Sequence, residues 1–220
     1  MSGAAGGVLE RRWLEAGYFD VRSRENRENT FTNQVARQLG EELGGSFRSI
    51  PYPASGARFK WAFYWREGDL PFAEAQFLAS IDSEHAVLSI GISIERDPPG
   101  QSKCWKRLVS EWPGLVRGEL PQLAEKLDRP LVVWGMRKGQ ESRTYVRTTR
   151  AWYRRREGPV DEGEVAGVVD ELDASEDWVD FIIGYDLVLQ DIPVSGGILP
   201  SDFATKLVAF DPIRRLLVPG

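Results

Sequence analysis

The residues best suited to chemistry lie in a stretch of opposed charge. Arg137 to Arg156 holds eight basic residues (Arg137, Lys138, Arg143, Arg147, Arg150, Arg154, Arg155 and Arg156) and one acid, Glu141. Tyr145, Trp152 and Tyr153 are interleaved with them. On a strand, Arg143, Tyr145, Arg147 and Thr149 share one face, so guanidinium groups could track phosphates while aromatic rings offer stacking surfaces. The pattern predicts contact with nucleic acid or another polyanion through Arg143, Arg147, Arg150, Arg154 and Arg155, with Tyr145 and Trp152 as the stacking residues. The following segment, Asp161 to Asp180, has nine acids and no Lys or Arg. The competing expectation is that the two blocks neutralise each other within the fold, as exposed opposite charges do at little gain in stability.

A second constellation comprises Lys60, Glu74 and Gln76, with Ser80, Ser89, Gly91 and Ser93 on the same face of neighbouring strands. Small and hydrogen-bonding residues on a sheet face can floor a ligand groove, and a glycine there admits a close approach. Asp69 followed by Glu74 supplies two carboxylates of the kind that hold Mg²⁺ for attack on a phosphodiester. The lysine that usually follows the glutamate in that chemistry is absent, so Lys60 would have to serve from the adjacent strand. His85, in a turn, is the single histidine and Cys104, near a helix start, the single cysteine. No local nucleophile motif joins them. Gly196-Gly197 ahead of Ser201 can shape a loop leading into a helix N-terminus, but without a phosphate-loop pattern. No cofactor and no metal site is expected.

These residues must be positioned by strands and helices, and the clearest signal is Ala57 to Arg96. Three successive runs alternate apolar and polar residues: Phe59, Trp61, Phe63 and Trp65; then Ala75, Phe77, Ala79 and Ile81; then Leu88, Ile90, Ile92 and Ile94. Period two means half-buried strands, and the short connections Glu67–Pro71 and Ser83–His85 favour an antiparallel meander. Further strands are expected at 46–50, 131–136, 143–149 and 179–192, with Pro51 and Pro53 marking a loop after the first. Helical spacing predicts helices over 8–16, 30–43, 105–116, 161–172 and 201–210, with more helix over 213–218. Pro113 either kinks the third of these or opens another helix running to Leu127. Asp161 is the expected N-cap of the fourth, with Glu164 three residues on. The fold class is therefore α+β: a mainly antiparallel sheet built on a three-strand meander, about 57–96, with helices packed on one face. We read residues 1–220 as a single domain, the alternative being subdomains 1–128 and 129–220.

The 220 residues are 42% apolar and 28% charged, enough for a proper core. A net charge of −5 argues against non-specific coating of nucleic acid, leaving only a local basic patch for that role. The eight tryptophans are expected to fill core volume, with Trp105 and Trp112 complementing the apolar face of the meander. A lone cysteine excludes an intramolecular disulfide. The opening MSGAAGGVLERRW carries no apolar segment of signal-peptide type, and no run reaches the roughly 18 apolar residues of a membrane helix. The expectation is a soluble cytoplasmic protein without membrane contact. Three functions follow in order. The first is a non-catalytic binding module using 137–156. The second is a structural or assembly subunit docking onto protein partners. The third is a metal-dependent phosphodiesterase using Glu74.

Overall fold

The computed structural model describes residues 7–14, 25–53, 58–65, 75–82, 85–96, 102–137 and 140–218, with backbone alone at 25–30, 51–53, 58–61, 64–65 and 140–143. Among them lie nine strands: β1 (Phe47–Pro53), β2 (Arg58–Trp65), β3 (Gln76–Asp82), β4 (Val87–Arg96), β5 (Leu131–Arg137), β6 (Gln140–Arg147), β7 (Trp152–Arg154), β8 (Gly158–Val160) and β9 (Val179–Val188). Six α-helices accompany them: α1 (Glu25–Leu43), α2 (Lys103–Arg117), α3 (Glu119–Leu127), α4 (Glu162–Asp173), α5 (Pro200–Val208) and α6 (Asp211–Leu217). The strands form an antiparallel sheet in the order β1-β2-β3-β4-β9-β5-β6-β7-β8. The class is α+β, and β2, β3 and β4 are neighbours in sequence order, as a meander requires. No helix among the described residues is long and apolar enough to cross a membrane.

Strand β1 runs on through Pro51 and Pro53, where the sequence reading placed a loop. Proline fails in a central strand because every N–H there serves a ladder on one side or the other, whereas β1 has a neighbour on one side only among the described residues. Strand β9 reaches its place between β4 and β5 from far along the chain. The chain divides into two compact units that interleave in sequence: 1–68, 77–90 and 186–209 in one, 69–76, 91–185 and 210–220 in the other.

In the first unit α1 packs along α5. Phe31 lies edge-on to Trp13 at 5.5 Å and to Phe203 at 5.4 Å, so one ring ties the N-terminal 3₁₀ turn to both helices. Leu9 and Ile198 exchange two backbone hydrogen bonds of 2.9 Å, fixing the residues ahead of that turn. Phe47 of β1 meets Phe77 of β3 at 6.0 Å.

In the second unit α2 buries Trp105, Leu108, Trp112 and Leu115 along one stripe. The Trp112 ring stands edge-on to Phe181 of β9 at 4.8 Å, and its N–H donates to the Val165 carbonyl of α4 at 2.9 Å. Trp105 donates to Asp173 at 2.7 Å. Both indoles are core residues, and these contacts run to α4 and β9. Pro113 is accommodated inside α2 on its exposed side, and the break comes at Gly118 instead. Asp161 caps α4 as its spacing predicted, accepting from the Glu164 N–H at 2.8 Å.

Alternation divides the faces of β9. Phe181 and Tyr185 look toward Trp112 and Phe210, the latter pair stacked at 5.9 Å. On the other face, Asp180 accepts a hydrogen bond from Ser93 at 2.5 Å. Gly91 sits where β4 presses on β9: a Cβ built there lies 2.0 Å from the Ile183 carbonyl oxygen and 2.5 Å from the Gly184 Cα. The close approach expected of this glycine is thus to protein backbone.

Candidate functional site

The basic segment is stitched to the acidic one. Tyr145 and Trp152 are buried, at 0% and 1% exposure, so neither ring is offered to a base. The Tyr145 hydroxyl donates to Glu164 at 3.2 Å. Arg154 binds Glu157 at 2.6 Å and also Glu164, and its guanidinium lies over the Tyr145 ring. The hydrogen bond to Glu157 first, then that to Tyr145 and the charges of Glu157 and Glu164, push the already high Arg154 pKa further up. Arg147 is half-buried, with its guanidinium over the Trp152 ring at 5.7 Å. At the base of the hairpin Arg137 pairs with Asp177 at 2.9 Å. Arg150 and Arg155 are exposed, on the turns flanking β7, while the Arg143 side chain lies outside the described residues. Of the proposed track, Tyr145 and Trp152 face inward and Arg154 is held by two glutamates, while Arg150 and Arg155 stand exposed.

The second constellation is likewise closed in. Gln76 is 1% exposed and donates to Glu95 at 3.0 Å, and Ser93 is 0% exposed against Asp180. Ser89 donates to Asp186 at 2.6 Å. These bonds pair buried polar groups across neighbouring strands, while the Gln76 Oε1 is buried with no hydrogen-bond partner among the described residues. Glu74 and Asp69 lie outside the described residues, as does the Lys60 side chain; the Lys60 backbone pairs with Ser80. Among the described residues no group of three or more His, Cys, Asp or Glu side chains is placed to hold a metal. His85 is exposed and bonded to Asp82 at 3.0 Å, and Cys104 is buried in the first turn of α2.

An open feature lies elsewhere, beside β1. Gly44 and Gly45 both donate to the Gly40 carbonyl at 3.0 Å, turning the chain sharply from α1 into β1. The turn demands glycine at 40, because a Cβ there falls 2.5 Å from the Gly45 carbonyl oxygen. At the far end of the pair, Ser49 donates from its hydroxyl to Thr32 at 3.3 Å and to Asn33 at 3.2 Å, tying strand to helix. Between these ties runs a groove of about 560 Å³, lined by Asn33, Ala36, Arg37 and Gly40 of α1 and by Ser46 to Ser49 of the strand. Arg37 and Glu41 pair with each other at 3.6 Å across one turn, so the wall carries little net charge.

The prolines set the phase of the β1 backbone. In the register with β2, Pro51 faces Trp61, Pro53 faces Phe59 and Ser49 faces Phe63. Residues along an antiparallel strand alternately point their N–H and C=O toward and away from the neighbour. A residue with no N–H takes an outward position at no loss to the ladder, so Pro51 and Pro53 face out. Ser49, two residues earlier, shares that phase. By the same alternation its N–H and C=O are expected to face away from β2, and those of Arg48 and Ile50 toward it.

No family model, curated protein or solved structure matches this chain. The chemistry of the site must therefore be judged from its own geometry. A strand edge with prolines at one end and a helical groove at the other is suited to noncovalent docking, since it sets a strand beside a helical wall of polar side chains from Asn33, Arg37 and Glu41. The sequence reading passed over it. Its one signal was the pair of prolines at alternate positions after a hydrophobic strand, which marks an edge as readily as a loop.

Proposed function

We propose that this chain is a docking module that binds a partner protein through the groove between α1 and β1. The observation that carries this reading is the half-closed edge. Sheets protect exposed edges against stray pairing, and Pro51 and Pro53 do so over one end of β1. At the other end, Ser46 to Ser49 lines the groove. The charge distribution supports the same preference, because Arg154 and Arg137 of the basic segment are engaged by Glu157, Glu164 and Asp177.

The reading is tested by selecting a random dodecapeptide display library on the purified full chain and measuring enriched peptides by fluorescence anisotropy. Arg37→Trp fills the groove from an exposed helical position without entering the core. The expected result is peptides whose affinity falls about tenfold or more on this substitution, a loss of about 1.4 kcal/mol. Failure to enrich any peptide, or binding indifferent to Arg37→Trp, overturns the proposal.

A further inference from the structure

We propose that the recess between residues 8–12 and the loop 193–197 binds a small aliphatic carboxylate, its charged end on the Arg11 guanidinium and its chain against Val8, Leu189, Pro193 and Val194. The site shares no lining residue with the groove beside β1 and does not depend on the docking reading.

The recess is formed where two short stretches are held together. Leu9 and Ile198 exchange two backbone hydrogen bonds of 2.9 Å. The loop closes on Leu9 because residue 197 is glycine: its φ is +61°, and a Cβ there falls 2.4 Å from the Leu9 carbonyl oxygen. One residue earlier the space opens, and a Cβ on Gly196 meets nothing within 4 Å. The volume left is about 510 Å³, within the range of small-molecule sites.

Two features of the lining point to a ligand. Val194 is 84% exposed, the most of any large apolar side chain among the described residues. Val8, Leu189 and Pro193 line the same recess, so that exposure is part of a continuous apolar surface and not an isolated side chain. Arg11 is the second feature. It lies half-buried along the recess, and among the described residues no acid pairs with it; Glu10, its neighbour, is bonded to Arg12 at 2.7 Å. A cation held partly out of water without a counter-charge gains from an arriving anion.

The same lining selects among anions. Arg11 offers one positive charge, and its planar fork matches the two oxygens of a carboxylate. A doubly charged phosphate brings one negative charge more than Arg11 neutralises, beside Glu10. The apolar lining is aliphatic, with no aromatic ring among it for a planar ligand to stack on. An aliphatic chain bearing one carboxylate meets all three conditions.

The test is isothermal titration of the purified full chain with sodium octanoate, at about pH 8 so that octyl phosphate, a comparison ligand, is doubly charged. Acetate and 1-octanol complete the set, one lacking the chain and the other the charge. Saturable octanoate binding is expected, with each comparison ligand about tenfold weaker or more. Arg11→Gln is expected to weaken octanoate about tenfold or more and bring it level with 1-octanol. Val194→Asp places a negative charge at a position too exposed to disturb the core, and is expected to weaken octanoate to a similar degree with the melting temperature unchanged. Octanoate without saturable binding below about 1 mM overturns the proposal. So does octanoate binding that either substitution leaves unchanged, or 1-octanol or octyl phosphate bound as tightly as octanoate.

Discussion

Gly91→Ala is the most exposed prediction about the sheet. The added methyl falls 2.0 Å from the Ile183 oxygen, 2.5 Å from the Gly184 Cα and 2.8 Å from the Ile183 carbonyl carbon. All three are backbone atoms of β9, so no side chain can swing aside. Nor can β9 withdraw freely, since Ile183 and Gly184 are paired with Val133 and Val132 of β5 on its other edge. Extra methylenes in a packed core cost about 1–3 kcal/mol, and an obstruction made of backbone belongs at the top of that range. Loss of glycine's freedom in the unfolded chain returns about 0.4–1 kcal/mol. The net cost is about 2–3 kcal/mol, or a fall in Tm of about 4–12 °C for a chain of this size. Thermal melts by circular dichroism, with urea unfolding followed by tryptophan fluorescence, measure it. Gly114→Ala is the control: that glycine is exposed in α2 with nothing within 4 Å, and alanine there is expected to stabilise by about 0.8 kcal/mol. A Gly91→Ala protein that melts within a degree of the parent, or above Gly114→Ala, would refute the close approach of β4 to β9.

Other substitutions test the remaining contacts. Arg96 donates to the carbonyls of Asp173 at 3.0 Å, of Leu172 and Asp177 at 3.3 Å, and of Ser175, closing the C-terminal end of α4. Arg96→Met is expected to cost about 3 kcal/mol in urea unfolding, and a cost under about 1 kcal/mol would deny the clamp. Tyr145→Phe removes the hydroxyl bond to Glu164 and is expected to cost about 1 kcal/mol, with no change in the midpoint contradicting that bond. For nucleic acid, anisotropy with labelled single-stranded DNA between low and moderate salt is expected to give a slope shallower than about −2 in log K against log salt, because Arg137 and Arg154 are held by acids and Tyr145 and Trp152 are buried. A slope steeper than about −4 would restore the polyanion reading.

Much of the scaffold was legible because its signals are local. The alternation in Ala57–Arg96 marked the meander, Asp161 with Glu164 marked the start of α4, and the stripe from Trp105 to Leu115 marked α2. The placement of β9 was not, since pairing between residues about 90 apart leaves no local pattern. Only the polar matches Ser93–Asp180 and Ser89–Asp186 record it, and each looks ordinary until the strands are aligned. Strands β7 and β8 have three residues each, too few for a period. The basic block misled for a related reason: charge counts do not say which way a side chain points, and Tyr145 and Trp152 point inward. The groove was hidden because two prolines read as a break unless the strand is known to lie at an edge.

Amide hydrogen exchange in the free full chain tests the outward face of Ser49 most directly. The Ile50 amide, aimed at β2 opposite Ala62, is expected to be protected, whereas the Ser49 amide exchanges close to the unfolded-chain rate. Ser49 protected as strongly as Ile50 would mean that its N–H already has a partner, and the edge beside α1 would be closed to any added strand.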